Sequence, residues 1–172
     1  MTNTAERDSQ RAAVYNAEHL FATMLSREAG STIQLAGATI TMPATAKFGD
    51  IAAAQRYVDT VLTRPSLIAT FGPLPAVTVR ARRGQCAAHY EVGHNTIAIP
   101  TVGQGRSMLN ERVVAHELAH HIEQHTTPAG TVTAAHGRQF TSIQLTLIED
   151  VIGPEAAFIL RVLYHDNGVQ IG

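Results

Sequence analysis

Between residues 95 and 125 the chain reads NTIAIPTVGQGRSMLNERVVAHELAHHIEQH, and the change of period inside this stretch decides the fold class. Ile97 and Ile99 alternate with smaller residues, which is the period of a short strand ending at Pro100. Thr101–Arg106 contains glycine and reads as a loop. Ser107 or Asn110 then caps a helix with Glu111 in its first turn, and that helix runs to about His125. On it, His116-Glu117-Leu118-Ala119-His120 is an HExxH pattern. Residues four apart stack on one helix face, so both imidazoles can reach one metal ion while Glu117 lies beside them as a base.

Outward from this stretch the periods divide the chain. Upstream of the strand, Val77 and Val79 mark one further strand and Cys86–Glu91 a second. Gly84 and Gly93-His94-Asn95 supply the turns, so the three strands are expected to form an antiparallel meander. Before them, Phe71-Gly72-Pro73-Leu74-Pro75 is a turn cluster. Residues 4–29 look helical, with Val14, Ala17, Phe21, Met24 or Leu25 and Glu28 on one stripe and Gly30 as the stop. Ser31–Thr45 reads as a loop with a short extended piece at Ala38–Met42. Asp50 caps a second helix carrying Ile51, Ala54, Val58 and Val61 or Leu62, which Pro65 ends. Downstream, Thr126–Thr133 is a loop. His136 opens a helix with Phe140, Ile143 and Leu147 on one stripe, and Gly153-Pro154 separates it from a last helix ending near Tyr164. Helices, then a small sheet, then helices give an α+β fold.

At 172 residues the chain is expected to form one domain spanning residues 1–172, with a core large enough to need no staples. It is 45% apolar and 16% charged, a composition that fits a packed globule and not a disordered tail. A net charge of −1 gives no general attraction to nucleic acid or to anionic membrane. Cys86 is the only cysteine, which excludes an internal disulfide and a cysteine-rich zinc finger. The polar start MTNTAERDSQR has no apolar signal core, and no stretch approaches a membrane span. A cytoplasmic location is the default expectation.

Nine histidines are present and six of them fall between His116 and His165, clustered around and after the motif. A catalytic zinc takes three protein ligands and keeps one position open. Position 126, where the long metzincin pattern would place a third histidine, is Thr126. His121 points about 100° away from His120 and reads as a surface residue or an outer support of the site. His136 is the better candidate, because its stripe faces the core and Gly137 permits close backbone packing. Glu149, Asp150 and Glu155 remain carboxylate alternatives.

HELAHH, a loop and then His136-Gly137-Arg138-Gln139-Phe140 resembles the HExxH…HGxxF/W pattern of the SprT-like (Spartan-type) zinc metalloproteases. The layout is also similar to that of a group of actinobacterial and phage metallohydrolases. The resemblance covers about residues 77–150. It implies a zincin-like fold, a Zn2+ cofactor, His116, His120 and His136 as ligands, and Glu117 as the catalytic base. The zinc ribbon found in some SprT proteins is missing.

The reaction expected is hydrolysis of a peptide or similar amide bond in a peptide or protein substrate. Tyr164, His165, Arg161 and His94 are conceivable oxyanion partners, none selected by spacing. Thr96–Pro100 is a candidate edge strand for pairing with an extended substrate. Arg80, Arg82 and Arg83 form a short basic run that reads as a solvated turn, and Cys86 as a small core residue. His89 and His94 read as ordinary polar positions. Two other functions compete: a non-catalytic adaptor held together by zinc, and a SprT-like protease acting on nucleic-acid-bound proteins. Near-neutral charge disfavours the latter, and with it a nucleic-acid partner. The oligomeric state is not legible.

Overall fold

The computed structural model describes residues 8–84 and 87–172, and for residues 104–106 the backbone alone. In chain order the elements are α1 (Arg11–Glu28), β1 (Thr32–Leu35), β2 (Ala38–Thr41), α2 (Ile51–Leu62), α3 (Pro65–Phe71) and β3 (Thr78–Arg82). They continue as β4 (His89–Glu91), β5 (Thr96–Pro100), α4 (Glu111–Thr126), α5 (Arg138–Val151) and α6 (Pro154–Asp166), with 3₁₀ turns at Val92–His94 and Gly103–Met108. The class is α+β. Two compact units divide the chain, one of Met1–Ala44 with Thr127–Gly172 and the other of Thr45–Thr126.

In the first unit α1 buries Val14, Ala17, Phe21 and Leu25, the 3–4 spacing that the sequence shows. It begins at Arg11, later than the expected residue 4, and residues 1–7 lie outside the described part. The next segment is not the expected loop with one extended piece. β1 and β2 pair antiparallel across Leu35↔Ala38. Ala36 (φ 48°) and Gly37 (φ 81°) both take positive φ, as a tight two-residue hairpin turn requires. An alanine in that position hides the signal, because turns of this type usually carry Asn or Gly there. α5 and α6 are separated by Gly153 (φ 134°), with Pro154 in the first turn of α6. The core of this unit includes Phe140, Leu147, Ile148, Ile159 and Leu160. Tyr164 is fully buried there, its phenol donating to Gln144 Oε1 while the Gln144 amide donates to Glu18. Burial, and secondarily the charge of Glu18, pushes the Tyr164 hydroxyl well above its ordinary range. That hydroxyl is committed to the core and is not an oxyanion partner.

In the second unit Asp50 caps α2 by accepting from the Ala53 N–H at 2.7 Å. Pro65 does more than end that helix. It occupies the first turn of α3, where a missing N–H costs nothing and φ is already helical.

The three-stranded sheet corrects the expected meander. Its order is β3-β5-β4, with β3 parallel to β5 and β4 antiparallel to it. The sheet is therefore mixed. β5 takes the centre because it is the most apolar strand: all five of its residues are buried, with Ile97, Ala98 and Ile99 fully so. Thr96–Pro100 consequently has no free edge to offer. The outer edge of β3 is occupied as well. Gln55 of α2 donates through Nε2 to the Val77 carbonyl (2.8 Å) and accepts the Val79 N–H through Oε1 (2.6 Å), as a neighbouring strand would. Val77 and Val79 are buried, so Gln55→Ala would strand two backbone groups. A loss of about 2–4 kcal/mol in urea unfolding is expected, and a loss below about 0.5 kcal/mol would contradict this role.

Candidate metal centre

The start of α4 is fixed from two sides. Asn110 Oδ1 accepts from the Val113 N–H at 3.1 Å, which makes Asn110 and not Ser107 the cap. The Glu111 carboxylate accepts from the Tyr57 hydroxyl (2.8 Å) and from the Ala46 N–H (3.0 Å). With its first turn held, α4 buries residues around most of its circumference, Val114, Ala115, Leu118, Ala119 and Ile122 among them. His116 and Glu117 are 6% and 5% exposed, and His120 is half-buried. The His116 and His120 rings lie 5.0 Å apart at 77°, the neighbour relation that four-residue spacing on a helix dictates.

His136 is placed differently from the sequence expectation. α5 starts at Arg138 with Gly137 as its cap residue, so His136 lies just outside the first turn and not on the helical stripe. Gly137 is needed for close approach: a Cβ there would meet the Ala134 carbonyl oxygen at 3.0 Å. The His136 ring is buried and stands edge-on to Phe140, 5.0 Å away at 71°.

His116, His120 and His136 each offer one ring nitrogen, and these atoms all lie within 4.8 Å of one another. The three histidines form a cluster that could hold a metal ion. Zinc–nitrogen bonds of about 2.0–2.1 Å place tetrahedral donors about 3.4 Å apart. Imidazole donors suit zinc, copper, iron and nickel, so the donor set alone does not name the ion. Among the described residues, Glu149, Asp150 and Glu155 are not part of the cluster.

Two residues at His136 had no sequence signal. The Asp8 Oδ2 atom lies 2.7 Å from His136 Nδ1, and Asp8 Oδ1 accepts from the His136 backbone N–H at 3.3 Å. Gln10 Nε2 donates to the His136 carbonyl at 2.7 Å. Asp8 and His136 are 128 positions apart, and a polar N-terminal stretch gives no hint of such a contact.

His121 is fully buried, which corrects its reading as a surface residue. Its Nε2 contacts the Pro75 carbonyl (3.0 Å), its Nδ1 the Tyr90 hydroxyl (2.9 Å), and its ring lies 4.6 Å from that of His125. Asn95, held at φ 45°, receives the Tyr90 hydroxyl and lies 3.0 Å from His125 Nε2. Burial lowers the His121 pKa to about 4, His125 adds to the lowering, and the Pro75 carbonyl opposes it. Burial also pushes the Tyr90 hydroxyl up to about 12. Because the folded pKa of His121 lies below its unfolded value of about 6.5, the folded state favours neutral imidazole. The stability is complete above pH 6.5 and is lost as pH falls toward 4, by about 3 kcal/mol in all. Urea unfolding of the metal-free protein at pH 7 and pH 4.5 checks this. The wild type is expected to weaken by about 2 kcal/mol more than His121→Gln, and equal weakening would contradict the assignment.

The remaining sequence candidates are accounted for locally. Arg80 pairs with Glu91, and that hydrogen bond foremost holds the carboxylate below its usual range. Arg82 donates to the Ala87 carbonyl (2.9 Å) and lies 2.8 Å from His89 Nδ1. His94, Arg161 and His165 are exposed. Cys86 lies outside the described residues. No helix among the described residues is long and apolar enough to cross a membrane. Against protein-family models, curated proteins and solved structures, the chain finds no match.

Proposed function

We propose that the chain is a zinc metallopeptidase that hydrolyses peptide bonds, with His116, His120 and His136 as ligands and Glu117 as general base. The observation that carries this reading is the cluster of three ring nitrogens within 4.8 Å of one another, with the buried Glu117 next in sequence to the first ligand. A structural zinc site is usually closed by four protein ligands and has no use for a base. Three histidines leave a coordination position for chemistry.

Zinc in such a set supplies Lewis acidity toward a carbonyl and acidifies water to a pKa near ~7. The chain's own contribution is proton handling. Glu117 accepts a proton from the attacking water as the new C–O bond forms, and delivers it to the amide nitrogen as the C–N bond breaks. Its burial limits competition from bulk water for that proton. Asn110, Glu111 and the His121 contacts hold α4, so the base and two ligands move as one body.

Hydrolysis of quenched-fluorescent peptides by zinc-loaded protein tests the reading. Cleavage that disappears with a chelator and returns with zinc is expected. Full activity in the presence of chelator would contradict it, and cleavage seen only with added DNA would move the substrate class toward nucleic-acid-bound proteins.

A further inference from the structure

We infer that Asp8, at the far end of the sequence, is a positioning residue of the metal centre that fixes His136 in the tautomer presenting Nε2 to an ion. The inference rests on the three-histidine reading above.

The carboxylate of Asp8 holds His136 at two points. Oδ2 lies 2.7 Å from ring Nδ1, and Oδ1 takes the backbone N–H of the same residue at 3.3 Å. An ionised carboxylate only accepts hydrogen bonds, so the partner nitrogen Nδ1 carries the proton. In a neutral imidazole the lone pair then sits on Nε2, and that atom becomes the ligand. A histidine left to itself divides its proton between the two nitrogens and turns about two side-chain bonds. Here both freedoms are removed.

The surroundings support a built arrangement. The His136 side chain is 6% exposed and that of Asp8 23%, so the contact is not a surface ion pair weakened by water. The ring stands 5.1 Å from Tyr15 and 5.0 Å from Phe140, flanked by an aromatic from α1 and one from α5. Gln10 keeps the segment carrying Asp8 in place. Its Nε2 donates to the carbonyls of His136 (2.7 Å) and Gln170 (3.2 Å), and its Oε1 accepts from the Gln170 N–H (3.0 Å). Carboxylates that orient a metal-bound histidine in this way typically change metal affinity by about 10–100-fold when removed.

The test uses the full chain and two readouts. In metal-free wild type, long-range ¹⁵N–¹H NMR of the histidine rings is expected to show His136 protonated on Nδ1. In Asp8→Ala the proton should move toward Nε2, and zinc affinity by chelator competition should fall about 10–100-fold. Asp8→Asn keeps an acceptor oxygen at the same reach. With one acceptor oxygen for two N–H donors, it should weaken the Nδ1–H preference less than alanine and bind zinc with intermediate affinity, and it serves if the alanine variant does not fold. A role confined to packing the N-terminal segment would lower thermal stability without moving the tautomer. Wild-type His136 protonated on Nε2, or Asp8→Ala binding zinc within twofold of wild type, would overturn the inference. His120→Ala, which removes a different ligand, separates this failure from failure of the centre. If wild type binds zinc no better than His120→Ala, the three-histidine centre fails and Asp8 with it. If His120→Ala loses zinc while Asp8→Ala does not, the centre stands and Asp8 alone is refuted.

Discussion

Glu117→Gln is expected to lower kcat by about 10²–10⁴-fold while leaving zinc content, fold and KM close to wild type. Glutamine matches glutamate in shape but cannot take a proton from water at neutral pH. Glu117 is 5% exposed, and exchanging a buried carboxylate for a neutral amide does not burden the fold with an added charge. The loss should therefore fall on the chemical step and not on stability or metal binding. Peptide hydrolysis at saturating substrate, with zinc content measured on the same sample, checks this. Activity within threefold of wild type would remove Glu117 from the mechanism, and loss of zinc in the variant would reassign it to holding the site.

The second large effect is expected at His136. Zinc held by four protein ligands is bound by roughly 10–16 kcal/mol, or about 2.5–4 kcal/mol for each ligand. His136→Ala should then weaken zinc binding about 10²–10³-fold. It also removes ring contacts with Tyr15 and Phe140, so melting of the metal-free protein has to be compared in parallel. Unchanged zinc affinity would reduce the centre to the His116–His120 pair, which no longer explains why a third histidine converges on it.

Much of the local structure was legible because it depends on neighbours in sequence. The α1 and α2 stripes, the Asp50 cap and the Gly153-Pro154 break were all readable from spacing and end signals. The HELAHH and HGRQF segments singled out the same three histidines that cluster in space. What the sequence withheld depends on where segments meet. The central place of β5 follows from its burial on both faces, whereas chain order alone suggested a meander. The surface alternative for His121 fails because a helical wheel assumes one solvent face, and α4 is buried around most of its girth. Gln55 acting as a strand edge and Asp8 at His136 are contacts between distant stretches, with no periodicity to announce them.

Zinc K-edge absorption on the purified, zinc-reconstituted chain tests the central claim most directly. One zinc per chain is predicted, with three imidazole nitrogens and one oxygen at about 2.0–2.1 Å. Absence of stoichiometric zinc, or a shell with only two imidazoles that is unchanged in His136→Ala, would contradict the three-histidine centre.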